Sequence, residues 1–284
     1  MNPYTIDGPA LISFSGGRTS GYMLRQILDA HGGALPDNIH VVFANTGKEM
    51  PETLDFVQEC GDRWGVKINW LEWCDKAKTG EAYEVVNHNS ASRDGEPFRA
   101  LINKKGYLPN PVARLCTENM KVKPMQHFMK AHHPREGWAN VVGLRFDEPR
   151  RVANLKNAKL SNGCDENLTP LSDAKVTKDV VKAFWDSQDF DLQLENVNGV
   201  TPLGNCDLCF LKGATTLGGI IRDRPELAEW WIDIESTPRN SNPDGATFRS
   251  DRPRYSRMLE MAKSQGDLFS STTDDSTIPC MCTD

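Results

Sequence analysis

Pro9-Ala10-Leu11-Ile12-Ser13-Phe14-Ser15-Gly16-Gly17-Arg18-Thr19-Ser20-Gly21 is the stretch whose reading decides the fold. Its apolar run, residues 9–14, has the length and composition of a short buried strand. Ser15 to Gly21 are almost all small, as a tight turn requires. Tyr22 to Gly32 then read as a helix with Tyr22, Leu24, Ile27 and Leu28 turned inward. Strand, small-residue loop and helix are the opening of an α/β unit. Glycines let backbone N–H groups approach an anion closely, and the helix N-terminus adds a partial positive charge. The hydroxyls of Ser15, Thr19 and Ser20 and the Arg18 guanidinium are further candidate donors. Neither GxxxxGK[ST] nor GxGxxG is present, so the loop is neither a Walker loop nor a dinucleotide fingerprint.

The pattern repeats outward. Residues 39–45 (IHVVFAN) form a second strand, 51–65 a helix with Pro51 in its first turn, and 68–73 (INWLEW) a third strand. This order predicts a parallel sheet with right-handed crossovers and helices on both faces. Residues 75–115 are polar and read as a helical lead-in followed by a long loop able to cover a ligand. A helix ends before Pro134, and 139–144 (ANVVGL) form another strand. Beyond residue 165 the stretch 169–187 is expected to hold one helix, capped by Thr177, with a second over 223–235 and an amphipathic piece over 255–265. The division this implies is a nucleotide-binding α/β domain over 1–164 and a helical and loop elaboration over 165–284.

Composition sets the outer bounds. The chain has 284 residues, 38% hydrophobic and 25% charged, enough for a full core. No run of about 18 apolar residues suggests a membrane span, and the N-terminus lacks a signal-peptide pattern. A cytoplasmic home is the expectation, in which the eight cysteines are thiols or metal ligands before they are disulfides. The net charge of −6 excludes a generic polyanion coat.

Two further motifs follow strands. Asn45-Thr46-Gly47-Lys48-Glu49-Met50-Pro51-Glu52-Thr53 lies at the C-terminal end of the second strand, where open α/β sheets place ligands. Gly143-Leu144-Arg145-Phe146-Asp147-Glu148-Pro149-Arg150-Arg151 follows the fourth. There Arg145, Arg150 and Arg151 can clamp phosphate or sulfate, and Asp147 or Glu148 can hold magnesium or orient an arginine. The basic stretch from Arg150 to Lys159 reads either as a solvated face or as a nucleic-acid contact. His127, His132 and His133 read as a solvated helix end, and Trp230 and Trp231 as a core face. Cys206-Asp207-Leu208-Cys209 brings two sulfurs within reach of one metal.

Ser15 to Ser20 resemble the PP-loop, SGGxDS, of N-type ATP pyrophosphatases and phosphoadenosine-phosphosulfate (PAPS) reductases, with Thr19 where that pattern has Asp. The second motif resembles the [DN]TGxxxPET segment of the reductases, and the third their G-[ILV]-R segment. Cys116, Lys121 and Pro124 resemble a CxxxxKxxP segment. The resemblance implies an adenine nucleotide α-hydrolase fold of Rossmann-like type. It implies nucleotide contacts from Ser15, Gly16, Gly17, Arg18, Thr19, Ser20, Asn45, Thr46, Gly47, Glu49, Gly143, Arg145, Arg150 and Arg151, and catalytic roles for Arg145, Asp147 and Lys121. ATP with Mg2+, or PAPS, is the implied ligand. Iron–sulfur clusters occur in relatives that transfer sulfur. That association suggests a 4Fe–4S cluster on Cys116, Cys206, Cys209 and Cys282 or Cys280, with zinc or redox thiols as alternatives.

Three functions stand open from sequence. The first is activation of an acceptor at the ATP α-phosphate for sulfur transfer, including nucleic-acid thiolation such as DNA phosphorothioation, with a cysteine desulfurase as sulfur donor. The second is reduction of PAPS or adenylyl sulfate to sulfite, although the chain has no ECGLH-like segment and ends in Pro279-Cys280-Met281-Cys282-Thr283-Asp284. The third is a nucleotide-sensing subunit without turnover.

Overall fold

The computed structural model describes residues 2–75, 82–160, 163–239 and 243–264. The opening unit forms as expected: β1 (Ala10–Ser13), a glycine turn, and α1 (Arg18–Ala30). The helix starts four residues earlier than the apolar pattern indicates, because Arg18 to Gly21 are buried and helical. β2 (Ile39–Asn45), α2 (Pro51–Trp64) and β3 (Ile68–Trp73) continue the alternation. Pro51 opens α2, and Gly65 closes it in the left-handed region at φ 61°.

Residues 75–115 depart from the long-loop expectation. They contain β4 (Tyr83–Val86), antiparallel to β3, and α3 (Glu96–Lys105). β4 is short and half exposed, so it carries too little apolar alternation to be read as a strand. A π-helical turn, Thr117–Val122, runs into α4 (Lys123–His132). β5 (Trp138–Val142), α5 (Pro149–Lys156) and β6 (Cys164–Leu168) follow. The polar sequence of β6 hid it; parallel pairing with β5 at the sheet edge makes it a strand.

The sheet order is β4-β3-β2-β1-β5-β6, with β4 the antiparallel strand. The order reverses at β1, which pairs with β2 on one side and β5 on the other. A crevice therefore opens at the C-terminal ends of β1 and β5. α6 (Pro170–Asp173) and α7 (Lys178–Asp186) come next. Thr177 occupies the cap position of α7 in extended backbone, but its side chain makes no capping bond. The last helices are α8 (Ala214–Asp223), a 3-10 turn with α9 (Ala228–Ser236), and α10 (Tyr255–Ser264).

Two cores organise these elements. The first packs Ile12, Phe14, Val41 and Phe43 of the sheet against Met23, Leu24, Phe56 and Val57, and it draws in Val181, Trp185, Phe190 and Leu194. The 164/165 division thus falls at the first residue of β6, and side chains up to 194 complete the first core. On the opposite face Leu11, Val42 and Leu71 meet Phe128 and Met129 of α4. The second core gathers Phe98, Met120, Cys206, Leu208, Trp231, Phe248 and Tyr255. Trp231 is its fully buried centre, as its sequence context suggests.

Candidate nucleotide site

The glycine turn sits at the crevice. Gly16 has φ +80°, and a Cβ there would lie 2.7 Å from Thr53 Cγ2. Only glycine fits both the dihedral and the close approach of α2. The Ser20 hydroxyl donates to the Gly17 carbonyl at 2.9 Å and accepts the Ser15 N–H at 3.2 Å. Ser15 Oγ lies 2.9 Å from the same oxygen. These hydroxyls therefore brace the loop. No side chain caps the start of α1, which leaves its first-turn N–H groups to meet an anion.

Arg18 does something the sequence did not disclose. Its guanidinium grips Asp191 through Nε (2.8 Å) and Nη2 (2.7 Å), donates to Thr201 Oγ1 (3.0 Å), and reaches the Leu192 and Leu194 carbonyls. Trp185 Nε1 donates to the Arg18 carbonyl at 2.8 Å. The buried Arg18 thus ties the segment after α7 to the phosphate loop.

The β5–α5 loop supplies the cation that faces the loop. Arg145 donates to Thr19 Oγ1 at 3.0 Å and to Asp147 Oδ1 at 2.9 Å. Glu148 Oε2 accepts the Arg145 N–H at 3.0 Å, and Glu148 also pairs with Arg151. Of the two roles open to Asp147 and Glu148, the geometry fits arginine orientation: both are engaged with arginines, and Thr19 replaces an acid. Gly143 is buried against Ser20, and Arg150 is exposed on the first turn of α5.

Two cavities meet at Ser15. One is a narrow cleft of about 30 Å³ against Gly16, Gly17, Arg145 and Lys178. The other, about 270 Å³, lies on the α4 face between Leu11, Ser13, Asn140 and Val142 of the sheet and Lys121, Val122 and Met125 of the roof. The second has room for a nucleoside; the first borders the loop amides. Lys178 of the first cleft lies beyond the apparent domain boundary, where no motif pointed to it.

The second motif is closed upon itself. Glu49 Oε2 accepts from Thr46 N–H (2.9 Å), Thr46 Oγ1 (2.8 Å) and Lys48 N–H (3.2 Å). Asn45 donates to Glu72 at 2.6 Å and accepts from the Gly47 N–H at 3.2 Å. Burial raises the Glu72 carboxyl, opposed by the donors Asn45 and Ser92. The turn is joined to the CxxC: Glu49 and Cys206 form a β-bridge, Thr46 Oγ1 lies 3.3 Å from Cys206 Sγ, and Lys48 pairs with the buried Asp207 at 2.9 Å. Asp207 also accepts from Trp231 Nε1 at 2.8 Å. Lys121 stands between the two regions: it lines the larger cavity, and its Nζ is 3.6 Å from Glu49 Oε1, a buried oxygen with no hydrogen bond.

Cys206 is buried, and its thiol is pushed up by desolvation, then by Glu49 and Cys209; Lys121 and Thr46 oppose. Cys116 and Cys209 are part-exposed at the edge of the second core. Among the described residues no three His, Cys, Asp or Glu side chains are arranged to hold a metal ion. Cys280 and Cys282 lie outside the described residues. Of the three histidines His132 is exposed, as a solvated helix end implies, while the half-buried His133 meets His40, Nε2 to Nε2, at 3.0 Å; the His132 ring centroid is 4.9 Å from that of His40. Among the described residues no helix is long and apolar enough to cross a membrane.

The chain is similar to several known proteins. An uncharacterized nin region protein of Escherichia phage lambda is 29% identical over 229 residues, covering 79% of this chain and 73% of the phage protein. An uncharacterized protein of Methanocaldococcus jannaschii is also 29% identical over 229 residues; that is 81% of this chain but 42% of the archaeal protein, so this chain spans less than half of it. The U34-tRNA thiolase NcsA from Methanococcus maripaludis, solved with its 4Fe–4S cluster, aligns over 81% of this chain and 68% of its own at 12% identity and a TM-score of 0.38, too slight a likeness to build on. Residues 9–192 match the phosphoadenosine phosphosulfate reductase domain, a span that runs from β1 through the Asp191 clamp on Arg18. The chain is a member of the phosphoadenosine phosphosulfate reductase domain family.

Proposed function

We propose that the chain is a PP-loop enzyme that binds ATP and adenylylates an acceptor oxygen as the first half of sulfur transfer. One observation carries the reading: a nucleoside-sized cavity and a narrow anion cleft meet at Ser15, beside uncapped helix amides and Arg145. The nucleoside occupies the larger cavity, and the phosphates lie along the Gly16–Gly17 turn. An acceptor oxygen attacks the α-phosphorus, and the bond from that phosphorus to the β-bridging oxygen breaks. Magnesium pyrophosphate leaves. Arg145 and the amides stabilise charge on the α-phosphoryl oxygens, a task that contributes strongly where water is excluded. Hydrosulfide then attacks the acceptor atom to which the adenylylated oxygen is bonded; the bond from that atom to the oxygen breaks, and AMP departs carrying the acceptor's former oxygen. A cysteine desulfurase persulfide, reduced by a thiol, is the hydrosulfide source we place first, and a nucleic acid the acceptor.

Family membership supports a second reading, the reduction of PAPS or adenylyl sulfate. That reaction needs a thiolate near the sulfate, and burial holds the Cys206 thiol protonated. Calorimetry separates the two. Tight MgATP binding with AMP and pyrophosphate formed, in the presence of acceptor, supports adenylylation. Preference for PAPS with release of sulfite supports the reductase. Binding of either without product supports a sensing subunit.

A further inference from the structure

The rim of the anion cleft carries an exposed aromatic among exposed cations. Phe146 is 51% exposed, high for a phenylalanine beside a site. Its position is fixed by backbone: the Phe146 N–H donates to the Val176 carbonyl at 2.8 Å, and the Lys178 N–H donates to Asp147 Oδ2 at 3.2 Å. These bonds stitch the β5–α5 loop to the turn before α7. They bring exposed Lys175, whose φ is +58°, and exposed Lys178 to the side of Phe146, with exposed Arg150 four residues further along the chain. The nearest acids are largely committed: Asp147 and Glu148 to Arg145 and Arg151, and Asp173 to Lys156. Asp179, in the first turn of α7, lies next to Lys178.

We infer that this rim holds a single-stranded segment of nucleic acid, with one base stacked on Phe146 and the flanking phosphates on Arg150, Lys175 and Lys178. The inference rests on the adenylylation reading and names the form of its acceptor. A ring held edge-free at the surface accepts any base face but needs that base unstacked from its neighbours, which a regular duplex does not provide. Exposed cations from both loops suit a backbone that carries a charge at every nucleotide. Lys178 belongs to both the rim and the cleft, so a strand lying there is led toward the α-phosphate position.

The test is fluorescence anisotropy of the full chain with labelled oligothymidylate and oligouridylate of about 20 nucleotides, and with a duplex of equal length. At about 50 mM salt a single strand should bind at least tenfold more tightly than the duplex, and its affinity should fall steeply toward about 200 mM. Phe146→Ala should weaken single-strand binding roughly fivefold or more, and Phe146→Trp should restore it. Lys175→Gln should reduce the salt slope by about one. ATP affinity, measured on the same proteins, should be unchanged by Phe146→Ala. Single-strand affinity indifferent to Phe146, equal binding of the duplex, or no oligonucleotide binding by a protein that binds ATP would overturn the inference. Loss of ATP binding in the unaltered protein would instead remove the adenylylation reading on which it rests.

Discussion

The phosphate loop and the Asn45–Glu49 turn occupy equivalent positions, each following a parallel strand and preceding a helix, yet they spend their polar groups differently. In the first, side chains brace the loop and backbone amides face the crevice. In the second, the Glu49 carboxylate gathers the local amides and hydroxyl, and the turn is welded to Cys206 and Asp207 of the second core. One loop leaves its backbone amides facing the crevice. The other is built as a joint between the sheet and the second core. Two motifs that resemble one family thus leave different numbers of polar groups uncommitted, and a hydrogen-bonding group committed within the protein is costly to redirect.

The largest effect should come from the joint. Asp207→Ala leaves the buried Lys48 ammonium without its partner and Trp231 Nε1 without an acceptor, a loss of about 3–5 kcal/mol. We expect Tm to fall by roughly 10 °C while the fraction that stays folded binds ATP as before. A large loss of ATP affinity with Tm unchanged would reverse the assignment of the two loops.

Arg145→Ala should act in the opposite sense. Product formation should drop by about 10²–10³ with Tm nearly unchanged, because the lost interaction belongs to the reacting phosphate. Calorimetry and turnover on one preparation decide this; a fall in Tm with turnover intact would make Arg145 structural. Gly16→Ala should cost the loop about 1–3 kcal/mol, since alanine resists φ +80° and its methyl meets Thr53. Nucleotide affinity should weaken about tenfold to a hundredfold, with circular dichroism unchanged. Unaltered affinity would show that the turn does not approach the phosphates.

The smallest effect sharpens the comparison from the far end of β2. His40 lies there, and burial first, then His132, His133 and Lys67, lowers it from 6.5 to about 4. The folded protein thus binds fewer protons than the unfolded chain between those values. His40 contributes stability that is fully present above pH 6.5 and is lost as pH falls toward about 4. Tm should decline across that window, and His40→Gln should flatten the decline without moving ATP affinity at neutral pH. A variant as acid-sensitive as the original would assign the decline to other groups.

Local chemistry made much of this protein legible. The Pro9–Phe14 run, the Gly16–Gly17 turn and the apolar face of the first helix announced a strand, an anion-binding turn and a crossover. The next two strands followed from short-range pattern in the same way. β4 and β6 were not legible, since their pairing comes from neighbouring strands more than from their own alternation. Lys178 and Phe146 came together only through hydrogen bonds between distant loops, one to the Val176 carbonyl and one to the Asp147 carboxylate.

By itself, then, the sequence determined where the backbone turns, which faces are apolar, and where an anion can approach, because those depend on residues near one another in the chain. Only the tertiary structure decided which donors and charges remain available. Arg18 looked like a phosphate ligand until Asp191, 173 residues away, took its guanidinium. Glu49 stands in a ligand-like motif, and in the fold Thr46 engages its carboxylate while Asp207 takes the neighbouring Lys48. Hydrogen-bonding capacity is finite and is filled by whichever partner the fold brings within about 3 Å, so a motif names the groups that can bind and the packing selects those that do.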